Sequence, residues 1–263
     1  MSKAASKRGQ RRRGQRRPRI GTSGWSYPSW RAGFYEGVPQ RRWLAHCAAH
    51  FTAIEVNATF YREMKPALLE RWRDETPDDF AFAIKGHRYI THVERLKAPS
   101  KPVRRQRDTV APLGPKLAAV LWQLPKTLQK DMKRLNRFLD ALEEWPGVRH
   151  ALEFRHASWF DDEVADALSR RGCANCLSDA ADWPLWDAVT TDLVYVRLHG
   201  HTRTYASSYG ERALGAWAKR VTRWMGEGRE VHVYFDNDAE GAAPYNALRL
   251  LELVAPTRKA KRS

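Results

Sequence analysis

Cysteine is scarce in this chain, and the little there is cannot build a framework. Cys47, Cys173 and Cys176 are too few and too unevenly placed for a disulfide scaffold. The last two have Cys-x-x-Cys spacing but fall in an apparent strand, where residues three apart point to opposite faces. Metal or redox use of that pair is therefore not expected. No apolar run reaches the length of a membrane span, and the basic start is followed by no apolar segment of the secretory kind. A cytoplasmic location without membrane contact is the expectation. Gly-x-Ser-x-Gly, the phosphate-binding P-loop and Gly-x-Gly-x-x-Gly are missing too, so the common nucleophile and nucleotide templates do not apply.

Acidic residues are also short, 30 against 46 Lys and Arg, for a formal charge of +16. The imbalance is local. Residues 1–19 hold nine bases and no acid, and residues 258–263 add four more, which leaves +3 on residues 20–257. Stretches this basic and this poor in apolar side chains cannot offset the entropy of ordering, so residues 1–19 and 255–263 are expected to be disordered tails. Such tails attract phosphate backbones, and contact with RNA or DNA is the partner they suggest.

The body begins with Ile20-Gly21-Thr22-Ser23-Gly24-Trp25-Ser26-Tyr27, a short strand that breaks into a loop of small residues and large aromatics. From there strand-like and helix-like segments alternate. Strands are expected at 51–57, 80–85, 117–124, 149–155, 173–179, 193–199 and 230–236. Helices are expected near 41–50, 66–75, 131–144, 161–171, 211–225 and 243–253. Residues 86–115 read as a long loop with some helix. Hydrophobic content of 43% supports a substantial core. Eight strands with crossovers over residues 20–254 match a single (β/α)8 TIM-like barrel of the α/β class, the open doubly wound sheet being the alternative.

Period-2 alternation sorts each strand into two faces. Glu55 with Asn57, Lys85, Gln123, Glu153 with Arg155, Asn175 with Asp179, Arg197 with His199, and His232 with Asp236 oppose mainly apolar sets. A barrel turns its apolar face to the helices, so the polar sets are expected inside. Asn57, Lys85, Gln123, Arg155, Asp179, His199 and Asp236 fall at strand carboxyl ends, where barrel enzymes keep their sites. Some of these charges are expected to be ion pairs that fix the top of the barrel.

The cations Lys85, Arg155 and Arg197 suit an anionic ligand. Glu55, Glu153, Asp179 and Asp236 are candidate acids or bases, with His199 orienting or relaying a proton. Trp25, Tyr27, Tyr61, Trp159, Tyr205 and Tyr209 in the loops could stack on a base or sugar, and Asn57, Gln123, His92 and Asn237 complete the candidate ligand contacts. A divalent metal held by Glu153, Asp179, His199 and Asp236 is conceivable, but no metal motif supports it.

Taken together, these residues resemble the YecE-like proteins, domain of unknown function 72. The matching pieces are Gly21-Thr22-Ser23-Gly24-Trp25, Glu55-Val56-Asn57-Ala58-Thr59-Phe60-Tyr61 and Trp122-Gln123-Leu124-Pro125. They continue with Glu153-Phe154-Arg155-His156-Ala157-Ser158-Trp159, Tyr195-Val196-Arg197-Leu198-His199-Gly200 and Tyr234-Phe235-Asp236-Asn237-Asp238. The resemblance implies a TIM-like barrel without an established reaction. Asp236 stands where family members often carry Asn. Three readings remain open. One is a barrel enzyme of hydrolase or phosphodiesterase type, with an anion-accepting pocket for a phosphorylated or nucleic-acid-derived substrate. The second is a non-catalytic nucleic-acid-binding protein that works through its tails. The third is a sugar or sugar-phosphate isomerase.

Overall fold

The computed structural model describes residues 17–255. The expectation of disordered tails therefore lies outside the described residues, except that Arg19 already opens the first strand. In chain order the elements are β1 (Arg19–Thr22), α1 (Trp43–His50), β2 (Ala53–Val56), α2 (Ala58–Tyr61), α3 (Pro66–Asp74), β3 (Ala81–Lys85) and α4 (Ser100–Val110). There follow β4 (Leu117–Gln123), α5 (Met132–Glu143), β5 (Arg149–Glu153), α6 (Asp162–Arg170), β6 (Ala174–Asp179), β7 (Leu193–Leu198), α7 (Glu211–Gly226), β8 (Glu230–Phe235) and α8 (Ala242–Val254). Among the described residues no helix is long and apolar enough to cross a membrane.

Local chemistry explains the helices. Asp131 and Asp161 cap α5 and α6, each side chain accepting a backbone N–H at 3.0 Å, from Arg134 and Val164. Leu135, Phe138, Leu139 and Leu142 recur at helical spacing along α5, and all four are buried. Residues 86–115 are more regular than their sequence suggests. They hold a π-turn at Tyr89–Val93 and the eleven-residue α4, whose Pro102 sits in the first turn where its missing N–H costs little.

All eight strands run parallel in one sheet, in the order β1-β8-β7-β6-β5-β4-β3-β2. The two edges of that order meet. Ser23 bridges Glu55, Gly24 N–H donates to the Glu55 carbonyl at 2.7 Å, and Thr52 N–H donates to the Ile20 carbonyl at 3.1 Å. Gly21 makes the seam possible, since a Cβ there would lie 1.8 Å from the Ala53 carbonyl oxygen. The sheet thus closes into the barrel, and no edge is left open.

Inside the cylinder, Ala53, Ala81, Ala83, Ala119, Ala151 and Ala174 make room for Leu121, Leu193, Tyr195 and Tyr234. Outside it, Ile54, Phe82, Val120, Leu152, Leu177, Val196 and Phe235 meet the helix layer. The expected faces hold for β2, β3, β4, β5, β7 and β8. In β6 they are reversed. Ala174 and Cys176 pack inside, so Asn175 and Asp179 face outward, and the Asn175 amide donates to the Trp186 and Ala188 carbonyls. Cys173 belongs to the outer core and Cys176 to the inner, so their sulfurs diverge as expected. The expected strand-loop-helix repeat also breaks here, because residues 180–192 connect β6 to β7 without a helix.

Replacing Gly21 with alanine forces β1 and β2 apart at the seam. Gly21→Ala is expected to lose about 3 kcal/mol, measured as a lower urea midpoint at unchanged slope.

Candidate functional site

Arg197 leaves β7 pointing into the barrel and is fully buried. Its guanidinium is surrounded by acids. Nε and Nη2 donate to Glu55 Oε1 at 3.0 and 2.8 Å, Nη1 donates to Glu153 Oε2 at 2.9 Å, and Nη2 also reaches Asp236 Oδ2 at 2.9 Å. Three carboxylates from β2, β5 and the end of β8 are thereby tied to one cation from β7. Ser23 Oγ and Tyr195 Oη each donate to Glu55 at 2.6 Å, and Ser178 Oγ donates to Glu153 at 3.0 Å. His199 lies against the same group, with Nε2 3.3 Å from Glu153 Oε1. Its Nδ1 lies 2.9 Å from Asp236 Oδ2.

The electrostatics follow from this packing. Burial alone would raise Glu153, but Arg155 and Arg197 outweigh it and hold the carboxyl well below its ordinary range. Asp236 behaves alike, with Arg197 and His199 overcoming burial and bringing it down to about 2. Arg155 lies above the plane, its Nε 2.9 Å from Glu153 Oε1 and its Nη1 2.9 Å from Tyr205 Oη. The Trp183 ring covers that guanidinium at 4.1 Å.

Lys85 is different. Its ammonium sits 4.3 Å over the Phe60 ring and makes no hydrogen bond or ion pair among the described residues. Burial and then Arg197 lower it to about 8, against the opposing pull of Glu153, Asp236 and Glu55. Burial, Lys85 and Arg88 together bring the neighbouring His92 down to about 4, so its imidazole is neutral at ordinary pH. Gln123, buried on the same face, has a side-chain amide with no partner among the described residues. Asn57 donates to the Ser23 carbonyl at 3.3 Å.

The structure therefore gathers Glu55, Asn57, Lys85, Gln123, Glu153, Arg155, Arg197, His199 and Asp236 at one rim, with Tyr27 and His92 beside them. Four expected residues are placed elsewhere. Asp179 faces outward toward Tyr209. Trp159 is a core residue, fully buried, its indole donating to the Leu128 carbonyl at 2.7 Å. Asn237 alternates away from Asp236 and ties the chain to the Ser207 carbonyl and to Asn246, both at 2.9 Å. Tyr61 stands 67% exposed, outside the mouth. Trp25 packs edge-on against Trp72 at the margin, beside a cavity of about 320 Å³.

Two further corrections bear on chemistry. Arg197 was expected to hold an anion, yet its donors are already given to carboxylates and no ligand can reach them. The metal set also dissolves. Asp179 is absent from it, and the Arg197 guanidinium occupies the place among Glu153, Asp236 and Glu55 where a cation would sit. Among the described residues no three His, Cys, Asp or Glu side chains are grouped to hold a metal ion.

Asp238 follows two residues after Asp236 and lies beside the rim. Burial and the nearby charge of Asp236 raise it to about 7, and the same acids and burial push Tyr27 upward. Ser178 and Trp183 were not expected at the site, whereas Tyr205, expected in a loop above the ring, meets Arg155 there. Ser178 could have been found from the small inner residues Ala174 and Cys176, four and two positions before it. Trp183 belongs to an irregular crossover that carries no periodic signal.

A parallel barrel with polar side chains converging at its carboxyl rim defines a (β/α)8 barrel protein. The comparisons give the family. The profile described as "Protein of unknown function DUF72" matches residues 19–263, and the chain belongs to that family. It is 33% identical over 156 residues to the UPF0759 protein YecE of Escherichia coli (strain K12), covering 58% of this chain and 54% of that protein. The chain thus spans about half the length of this curated relative. It is 25% identical over 271 residues to the UPF0759 protein YunF of Bacillus subtilis, with 89% and 94% covered. A crystal structure of a DUF72 family protein from Thermotoga maritima superposes with a TM-score of 0.81 at 26% identity, covering 91% and 99%.

Two substitutions separate structural from free charge. Arg197→Met takes the shared guanidinium from Glu55, Glu153 and Asp236, leaving Glu153 with Arg155 as its ion-pair partner, and is expected to destabilise by about 3–5 kcal/mol. Lys85→Met removes a cation whose group falls from 10.5 to about 8 on folding. At about 1.4 kcal/mol per tenfold, it should stabilise by up to about 3 kcal/mol at neutral pH. The unfolded chain holds the Lys85 proton up to its higher value, so wild-type stability rises with pH above about 8 and the advantage of Lys85→Met shrinks. Denaturant titrations at pH 7 and 10 read both effects.

Proposed function

We propose that the barrel rim binds the phosphoryl group of a small phosphorylated substrate through Lys85 and catalyses its hydrolysis with Asp238 as the proton-transfer group. The unpaired Lys85 ammonium is the observation that supports this reading. A partly dehydrated cation with no counter-ion is costly to keep, and an incoming oxyanion supplies the missing partner. Asp238, lifted to about 7, exchanges its proton near neutral pH, as a general base for water requires. Gln123 and neutral His92 offer uncharged hydrogen bonds to the same ligand, while Arg155 presents its outer face under Trp183. The tight Arg197 cluster beneath keeps these groups in place without taking part. A cytoplasmic location accompanies the reading, with Cys47, Cys173 and Cys176 as buried free thiols.

Sulfate tests the anion contact, because it does not titrate in the range used. Its affinity, read by calorimetry, should be steady up to pH 8 and fall about tenfold for each pH unit above it, as Lys85 loses its proton. Lys85→Met should abolish binding, and Lys85→Arg should keep it through pH 10. Equal sulfate affinity in wild type and Lys85→Met would remove the proposal. The catalytic half predicts hydrolysis of p-nitrophenyl phosphate esters, with kcat/KM rising through about pH 7 and falling through about pH 8. Asp238→Asn should lower that rate by about 10²–10⁴-fold.

A further inference from the structure

A cavity of about 580 Å³ lies beside the rim rather than in it, between the α2–α3 link and α4. Met64, Ile90 and Val110 form its apolar floor; Arg62, Tyr89 and Lys101 stand on its walls. This sector is cationic by sequence as well. From Gly86 to Arg105 the bases Arg88, Arg95, Lys97, Lys101, Arg104 and Arg105 meet a single acid, Glu94. Arg104 and Arg105 are paired to Glu144 and Glu63, whereas Arg62, Arg88, Lys97 and Lys101 make no ion pair among the described residues.

Exposed apolar side chains collect in the same place. Tyr61 is 67% exposed, Tyr89 45% and Val93 57%, half of the large apolar side chains that the described surface leaves out in solvent. The π-turn holds Tyr89 and Val93 outward while burying Ile90 and Thr91. Two left-handed residues, Arg95 (φ 49°) and Leu96 (φ 61°), end that turn, and fully buried Leu96 anchors it. Tyr61 stands on the ring of Phe60 at 4.9 Å, the same ring that lies under Lys85. Flat ring faces set among unpaired cations do not suit a protein partner, which would want the cations neutralised by a matching acidic face. They do suit a chain of phosphates carrying unpaired bases, each base stacking on a ring and each phosphate meeting a cation.

We infer that this groove and the adjoining rim form an interface for single-stranded nucleic acid, with Tyr61 and Tyr89 as stacking platforms and Arg62, Arg88 and Lys101 as phosphate contacts. The inference is independent of phosphate-ester chemistry at the rim, and equally of any contribution from the basic tails. Tails bind duplex and single strand alike through charge, whereas a tyrosine face engages only a base that is free of a partner.

Fluorescence anisotropy on the full chain separates the two. The probes are an oligouridylate of about 12 nucleotides and an RNA duplex of matched length, titrated at about 0.1 M salt. Wild type should prefer the single strand. Tyr61→Ala/Tyr89→Ala should weaken that binding at least about 25-fold, the lower end for two stacked bases. It should leave duplex affinity and the salt slope unchanged, because no charge is lost. Arg88→Gln/Lys101→Gln should flatten the single-strand salt slope by about 1.4, or about 0.7 per contact. Equal wild-type affinity for both probes, no binding, or a tyrosine double variant that binds like wild type would each overturn the inference. Melting curves of both double variants, whose replaced side chains are solvent-exposed, confirm that they are folded.

Discussion

One buried arginine organises the upper half of this barrel. Burying Arg197 alone would be prohibitive, and burying Glu55, Glu153 and Asp236 alone more so. Together they satisfy one another through five charge-assisted contacts at 2.8–3.3 Å, counting the hydroxyl of Ser23. Because the four charged residues come from β2, β5, β7 and the end of β8, the cluster links strands that are not neighbours in the sheet. Such a network is worth little as net stabilisation compared with an apolar plug of the same shape. Its effect is to fix register, since a strand shifted by one residue would leave a charge without a partner. Asp236 takes part as a carboxylate and contributes a negative charge to the cluster.

With those charges paired to one another, two other groups at the rim stand out by their protonation. Lys85 has an aromatic ring beneath it and makes no hydrogen bond or ion pair among the described residues; Asp238 is neutral up to about pH 7. The two are displaced in opposite directions from their ordinary values, which brings both within reach of neutral pH. Groups pushed toward each other in this way by burial and neighbouring charge are characteristic of sites that move protons.

The eight strands were legible because period-2 alternation and short apolar runs survive in sequence, and so was the polar rim on six of them. The failures have specific causes. In β6 the inner face is lined by the small residues Ala174, Cys176 and Ser178, so reading the polar partners Asn175 and Asp179 as inward inverted the strand. The same small residues recur on the inner faces of β2 to β5, and this was the stronger signal. Trp159 and Asn237 look like ligand contacts by type, but their donors are used up by the Leu128 and Ser207 carbonyls. The protonation states of Lys85 and Asp238 could not be read at all, since they depend on which charges lie near in space.

The missing helix between β6 and β7 has a consequence for how the molecule is clad. Elsewhere a helix shields the cylinder's exterior and its loop serves the mouth, two tasks given to two segments. Here residues 180–192 do both. Trp186 stacks on Phe160 outside the wall, with rings 5.4 Å apart, while Trp183 turns over the top to cover Arg155 and His199. Exterior insulation and roofing are joined in that stretch with only Pro184 and Leu185 between the two rings, so a change in the outer packing of this sector is transmitted directly to the ceiling of the chamber.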